Sequence, residues 1–128
     1  MDRDAQQWLR IAASDMVSVE ILHRAGQDLH AMFFLQQAVE KTMKALIARE
    51  TQTAPPRIHN LHTLANLCGL NLERERDRVH LLEVLNGYYT ESRYPGEWEP
   101  DMPTVTSAEA AAYIGRAKEL IEWLKQKL

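Results

Sequence analysis

The stretch FFLQQAVEKTMKALIA, residues 33 to 48, is typical of one uninterrupted helix. At about 100° per residue, one arc of this helix forms an ordinary core face made of Leu35, Ala38, Val39, Thr42, Ala45 and Leu46. The opposite arc carries a polar stripe of five side chains, Gln36, Gln37, Glu40, Lys41 and Lys44. Phe33 and Ile47 lie at the two ends of this polar stripe, where water is expected. We therefore expect another helix to cover the stripe and its Gln and Lys groups to border a polar cavity.

Length and composition indicate a globular protein of one domain, residues 1–128. Hydrophobic residues make up 45% of the chain and charged residues 26%, which are ordinary globular values. The single cysteine, Cys68, excludes an intramolecular disulfide and fits a reducing compartment. No leader and no apolar run of about 18 residues is found, so we expect a cytoplasmic protein with no membrane partner. A net charge of −3 argues against nucleic-acid binding through bulk positive charge and leaves a local basic pocket open.

Apolar residues recur at helical spacing along the chain, and no segment alternates as a strand would. The predicted helices span about 3–25, 28–50, 60–69, 73–92 and 106–128. Asn60 is a good N-cap, and Thr106 with Glu109 forms a capping box. The fourth helix is expected to end near Arg93, because Pro95 disfavours helix in the residue before it. The fold prediction is all-α, an up-and-down bundle of four long helices plus one short helix.

Several chemistries are not supported by the sequence. The glycines never form a nucleotide-binding loop. Cys68 lies in a Leu-rich segment, which favours a small packed hydrophobe over a nucleophile. Glu20 with His23 is the single Glu-x-x-His pair, whereas a di-iron bundle uses two such pairs, and His59 with His62 has no accompanying cluster. We expect no metal and no cofactor.

Polar signals recur instead at the ends of the predicted elements. They are the polar stripe, the junction IHNLHTL at 58–64 and the segment YYTESRYP at 88–95. The candidate ligand-binding residues in these segments are Gln37, Lys41, Lys44, His59, Arg93 and Tyr94. The planar guanidinium of Arg93 suits phosphate, and a histidine facing a pocket can act as a phosphate donor or a general base. In an up-and-down order, the end of the fourth helix lies away from the C-terminal end of the second, so the sequence leaves open whether Arg93 and His59 meet.

Structural interpretations of the same residues stay open. Glu40 and Lys41 can form pairs within the helix with Lys44 and Gln37, each worth a few tenths of a kcal/mol. His59 can serve only to hydrogen-bond the loop. Arg93 can cap the last carbonyls of the fourth helix or pair with Glu91, and Tyr94 can belong to the core.

Three segments in order, QQAVEKTMKALIA, HNLHTLANL and YYTESRYP, resemble the successive signatures of the HEPN domain family. That family shows an aromatic-x-x-Gln-Gln-Ala-x-Glu-Lys-x-x-Lys-Ala helix, a His-(Asp or Asn)-Leu helix start and a Tyr-x-x-x-x-Arg-Tyr-Pro end. The resemblance implies a helical bundle that usually forms a homodimer. It also implies pairing with a minimal nucleotidyltransferase, in a toxin–antitoxin type module, and involvement with nucleotides or RNA.

One departure from the family pattern concerns catalysis. Ribonuclease members carry an Arg followed, after four to six residues, by a His, and no His occurs here after His80. The spacings Arg24 to His30, Arg57 to His62 and Arg74 to His80 meet the count, and we interpret them as accidental. Three hypotheses follow: a nucleotide- or RNA-binding HEPN protein, an active ribonuclease in which His59 or Tyr94 replaces the missing His, and a purely structural dimerisation module.

Overall fold

The structure, a computed structural model, describes residues 3–89 and 104–128. These two ranges contain five helices, α1 (Arg3–Arg24), α2 (Asp28–Thr51), α3 (Leu61–Leu67), α4 (Arg76–Asn86) and α5 (Ser107–Lys125). No strand occurs in these two ranges, which confirms the all-α prediction of four longer helices and one short helix. None of the helices in the described part of the chain is both long enough and apolar enough to cross a membrane.

A tight turn joins α1 to α2 and makes them antiparallel. Gly26 has a φ of 78° in this turn, a left-handed conformation that glycine adopts without a steric penalty. The ammonium group of Lys44, late in α2, lies 5.6 Å from the ring centroid of Trp8, early in α1. The beginning of α1 therefore packs beside the end of α2.

Contacts of α5 give the remaining directions. The Arg49 guanidinium donates to the Lys127 carbonyl at 3.1 Å, so the C-terminal ends of α2 and α5 meet. The guanidinium of Arg78, at the start of α4, lies 3.9 Å from the ring centroid of Trp123 near the end of α5. Because α4 thus runs against α5, the four longer helices follow the predicted up-and-down order.

Helix α2 is the centre of the bundle and contacts each of the other four helices. Every residue of its predicted core face is buried. The second face is covered as well, since Gln36 and Glu40 are 0% exposed and Lys44 is 5% exposed. This burial confirms the expectation, drawn from Phe33 and Ile47, for three of the five stripe residues. The other two, Gln37 and Lys41, are only partly buried.

Helix α4 is shorter than predicted at both ends. It begins at Arg76 rather than near 73, because residues 72–75 form a turn in which Glu75 N–H donates to the Leu72 carbonyl at 2.9 Å. It ends at Asn86, and the Gly87 N–H closes a tightened last turn on the Val84 carbonyl at 3.1 Å. The prediction of one uninterrupted helix over 73–92 was wrong, because α4 ends before Gly87 and glycine disfavours helix. Arg93 and Pro95 lie outside the described residues.

The connection from α2 to α3 runs back along α2. The α2 axis advances about 24 Å between Gln36 and Gln52. An extended chain from Gln52 to His59 covers about the same distance in the opposite direction. Pro55 and Pro56, which favour extended backbone, lie in this connection. As a result His59 reaches the level of Gln36, whose Nε2 donates to the His59 carbonyl at 3.0 Å.

Candidate functional site

The carboxylate of Glu40 is the centre of a buried polar network. It accepts hydrogen bonds from the ammonium groups of Lys44 at 3.1 Å and Lys41 at 3.2 Å. Gln36 Nε2 donates to it at 3.2 Å, and His59 Nδ1 lies 3.1 Å from its Oε1. Four of these five residues come from α2, and the fifth is brought in by the extended connection. Both oxygens of Glu40 are therefore fully used.

Glu40 is ionised at neutral pH. Burial alone raises the pKa of its carboxyl, but the charges of Lys41 and Lys44, with hydrogen bonds from Lys44 and Gln36, outweigh burial and hold the pKa below its ordinary value. An ionised carboxylate only accepts hydrogen bonds, so His59 Nδ1 must carry the proton in this contact. The other ring nitrogen, Nε2, is then left to accept a proton or, when protonated, to donate.

Helix α2 continues the network outward through Gln37. The Gln37 amide donates to Gln36 Oε1 at 2.6 Å, and Lys41 Nζ donates to Gln37 Oε1 at 2.9 Å. Lys44 has a side chain only 6% exposed, whereas that of Lys41 is 17% exposed. Within the described residues Lys41 uses two of its three N–H donors. Lys41 is therefore the cation of this pair that a ligand can reach.

His59 lies at the edge of the network with 43% of its side chain exposed. Its ring stacks on Tyr89, with 4.5 Å between centroids and 19° between planes. Tyr89 in turn stacks on Phe33 at 6.1 Å. Tyr89, which follows α4 in the chain, therefore lies beside the His59 junction. The predicted site residues Arg93 and Tyr94 lie outside the described residues.

Of the structural interpretations of the stripe, the pairs within α2 are observed, and the hydrogen bond of His59 to its own loop is not observed among the described residues. The pairs Lys44–Glu40 and Lys41–Gln37 do form within α2. The side chain of His59 contacts Glu40 rather than its own loop. A stripe that served only its own helix would not bring in a residue from a separate segment, so the network is a tertiary feature.

Sequence reasoning missed Asp15 of α1. Its Oδ2 is buried and has no hydrogen-bond partner among the described residues. Burial raises the pKa of Asp15, Lys41 lowers it, and Glu40 raises it further, so the carboxyl lies near the network. The available signal was an acidic residue within the arc that carries Ala12, Met16 and Val19.

Two further features lie apart from the network. Cys68 donates its thiol to the Met43 carbonyl at 3.4 Å, and burial raises the pKa of this thiol to about 12, which agrees with a packed and unreactive residue. A cavity of about 730 Å³ between α3 and α4 is lined by residues that include His62, Arg76 and His80. Of the predicted binding residues, the four that lie in the described part of the chain, Gln37, Lys41, Lys44 and His59, do not line this cavity.

The profile of the HEPN domain family matches residues 5–127. The chain belongs to the HEPN domain family. Two solved structures share its fold over 99% of this chain. TT1696 from Thermus thermophilus is 24% identical, with a TM-score of 0.75 and 100% of its own chain covered. ST0689, an archaeal HEPN homologue, is 26% identical, with a TM-score of 0.72 and 98% of its chain covered. A comparison with curated proteins gives no match.

The three HEPN-like segments are related in space by the network. The first contributes Glu40 and Lys41 from α2, and the second begins at His59. The third begins just after α4, where Tyr89 stacks on His59. Segments that are separate in the sequence of this HEPN protein therefore converge on one part of α2.

Proposed function

We propose that this HEPN protein binds a nucleotide or an RNA segment where Lys41, Gln37 and His59 border the buried network. The observation that carries the proposal is the contact of the Glu40 carboxylate with both Lys41 and His59. A buried group that holds two partly exposed donors in fixed positions pre-organises them, which reduces the entropy lost on binding. The family resemblance extends the proposal to a cytoplasmic homodimer that pairs with a minimal nucleotidyltransferase in a toxin–antitoxin type module.

The charge of the network favours an anionic ligand. Lys41 and Lys44 carry two positive charges beside the single negative charge of Glu40. The nearby carboxyl of Asp15 on α1 offsets part of this positive charge at Lys41. The surplus lies on the side of Lys41, which retains an unused N–H donor within the described residues. Phosphate oxygens are strong acceptors for ammonium groups, and this contact requires only local positive charge. The net charge of the whole protein, −3, therefore does not oppose it.

Titration of the purified protein with AMP and with a short single-stranded RNA tests the proposal. We expect Lys41→Ala to weaken binding about tenfold, since a charge-assisted hydrogen bond is lost. Lys125→Ala is the matched control, because Lys125 is an exposed lysine whose Nζ contacts Glu122 at 3.2 Å on the surface. Equal losses in both variants, or no binding by the wild-type protein, would contradict the proposal.

Arg93 is the second residue that the proposal assigns to phosphate. Replacing it by Lys keeps the charge but removes the planar pair of donors, so we expect about a tenfold loss of affinity with an unchanged melting temperature. If Arg93 only caps carbonyls or pairs with a carboxylate, the result is reversed. Unchanged affinity with a lowered melting temperature excludes Arg93 from the site.

A ribonuclease is the second candidate function, and one observation favours it. The Glu40–His59 contact is a carboxylate–imidazole pair that leaves Nε2 available as a general base. The sequence lacks a His after Arg93, so we expect no cleavage of cellular RNA in the presence of a metal chelator. If the wild-type protein cleaves RNA and His59→Ala does not, ribonuclease activity becomes the favoured function instead of nucleotide binding.

The third hypothesis, a purely structural dimerisation module, does not require a nucleotidyltransferase gene beside this one. A neighbouring reading frame with a Gly-Ser and paired-Asp nucleotidyltransferase signature favours the first two hypotheses. Co-expression with the product of that frame, followed by co-purification, tests the partnership directly. A dimer that binds neither that product nor any nucleotide supports the structural module.

A further inference from the structure

Among the described residues, Asp15 is an acidic residue beside the network whose position the network itself does not explain. Its Oδ2 is shielded from solvent and accepts no hydrogen bond from any described residue. A carboxyl oxygen in this condition has lost its water without a replacement, which costs free energy unless another partner supplies the bond. The partner has to come from outside the described residues.

The position of Asp15 follows from the antiparallel packing of α1 on α2. Trp8 lies beside Lys44, as the 5.6 Å ring contact shows. Asp15 is about two turns further along α1, which corresponds to the level of Gln37 on α2, with Lys41 about one turn away. Lys41 and Glu40 are the charged groups that act on the Asp15 carboxyl. Asp15 and the partly exposed amine of Lys41 therefore lie near each other on the adjacent helices α1 and α2.

This arrangement offers one unused acceptor beside one unused donor. Lys41 can give its third N–H to a phosphate oxygen, whereas Asp15 needs an N–H or O–H group. A ligand that carries a phosphate together with a hydrogen-bond donor satisfies both. The Asp15 residue as a whole is half-buried, so part of it reaches the surface beside the partly exposed Lys41.

We propose that Asp15 determines the ligand specificity of the site by accepting a hydrogen bond from a base amino group or a ribose hydroxyl of the bound nucleotide. The inference rests on the proposed nucleotide-binding function and adds the chemical group that is selected. A site built to bond such a group discriminates strongly against an analogue that lacks it, because its own polar atom is then left unpaired.

Three oligonucleotides of equal length distinguish the two sources of the donor. Hexacytidylate carries a base amino group where hexauridylate carries a carbonyl, and hexadeoxycytidylate lacks the 2′-hydroxyl. We expect the wild-type protein to prefer hexacytidylate over one of the other two by about tenfold. In Asp15→Ala this ratio should fall to near one. The ratio cancels the general gain in phosphate affinity that follows from removing a negative charge near Lys41.

Two control variants accompany Asp15→Ala. Glu119→Gln removes one exposed negative charge on α5, and Ser14→Ala makes a similar gain in helix propensity on the exposed face of α1. Both should keep the wild-type preference. Asp15→Ala should also raise the melting temperature by a few degrees more than Ser14→Ala does, because it removes a desolvated, unpartnered group.

The outcomes separate the two proposals. If the wild-type protein binds none of the three oligonucleotides or AMP, the nucleotide-binding proposal fails and the Asp15 assignment fails with it. If binding occurs but Asp15→Ala keeps the wild-type preference, or the wild type has none, the Asp15 assignment alone is overturned. A lowered melting temperature in Asp15→Ala also overturns it, because the carboxyl then has a structural partner.

Discussion

At the residue scale, Glu40 decides how the polar stripe of α2 can be buried. The two lysines beside it would be costly to desolvate without a counter-charge, and Glu40 supplies that charge at 3.1 and 3.2 Å. The same carboxylate orients the His59 ring. One residue thus stabilises the interior and positions the candidate site, so substitutions at Glu40 should affect both.

We expect Glu40→Gln to lower the free energy of unfolding by about 3–5 kcal/mol, because it leaves the buried ammonium of Lys44 without a counter-charge. Urea unfolding at neutral pH measures this change. Glu119→Gln, on the exposed surface, should stay within about 0.5 kcal/mol of wild type. The double variant Glu40→Leu, Lys44→Met should recover much of the loss, since it removes both charges. A loss below about 1 kcal/mol in Glu40→Gln would contradict this account.

The lowered pKa of Glu40 and the raised pKa of Asp15 predict opposite dependences on pH. For Glu40, the stabilisation is complete above the unfolded-state pKa of about 4.3 and is lost as pH falls through the lower folded-state value. The stability difference between wild type and Glu40→Gln should therefore narrow as the pH falls below about 5. For Asp15, stability decreases as pH rises from the unfolded-state pKa to the raised folded-state pKa, so Asp15→Asn should remove that decrease. Unfolding curves between about pH 3 and pH 7 measure both trends.

At the element scale, the connection between α2 and α3 decides where the site lies. The N-cap Asn60 holds its end in place, because the Asn60 side chain accepts from His62 N–H at 2.9 Å and from Thr63 N–H at 3.2 Å. The Asn86 side chain accepts from the Leu61 N–H at 2.9 Å and ties the same point to the end of α4. His59 is therefore attached to a capped helix start rather than to a free loop.

Asn60→Ala and Thr106→Ala form a matched pair for this idea. Each removes one N-cap and should cost about 1 kcal/mol of stability. Thr106 caps α5, far along the chain from the network, so its variant should bind AMP and RNA as the wild type does. Asn60→Ala should also weaken ligand binding, because it loosens the start of α3, to which His59 is attached. Equal binding by the two variants would show that the capped start of α3 does not support the site.

At the scale of the whole molecule, the exposed apolar side chains indicate where the proposed homodimer contact would lie. Ile47 is 4% exposed and belongs to the core, and the Trp123 ring packs between Arg78 and Lys127. The exposed large apolar side chains of the described residues are Ile11, Val17, Ile21 and Leu67. Three of these four lie on α1, which makes its outer face the stronger candidate for a dimer contact.

We expect light scattering to give a dimer mass at micromolar concentration, and Val17→Glu to shift it toward the monomer by placing a charge in the apolar contact. Leu67→Glu, at the end of α3, introduces the same charge at an exposed leucine away from α1 and should leave the mass unchanged. A monomer mass for the wild-type protein would exclude the dimer. Dissociation by Leu67→Glu alone would move the contact to α3.

The sequence by itself determined the helical class, the up-and-down order and the core face of α2, because helical periodicity and capping residues act over a few neighbouring positions. It also indicated, through Phe33 and Ile47, that the polar stripe is covered. Only the tertiary structure decided that Glu40 is the buried centre and that His59 returns to the middle of α2. These features depend on contacts between residues that are distant in the chain, and local periodicity carries no information about such contacts.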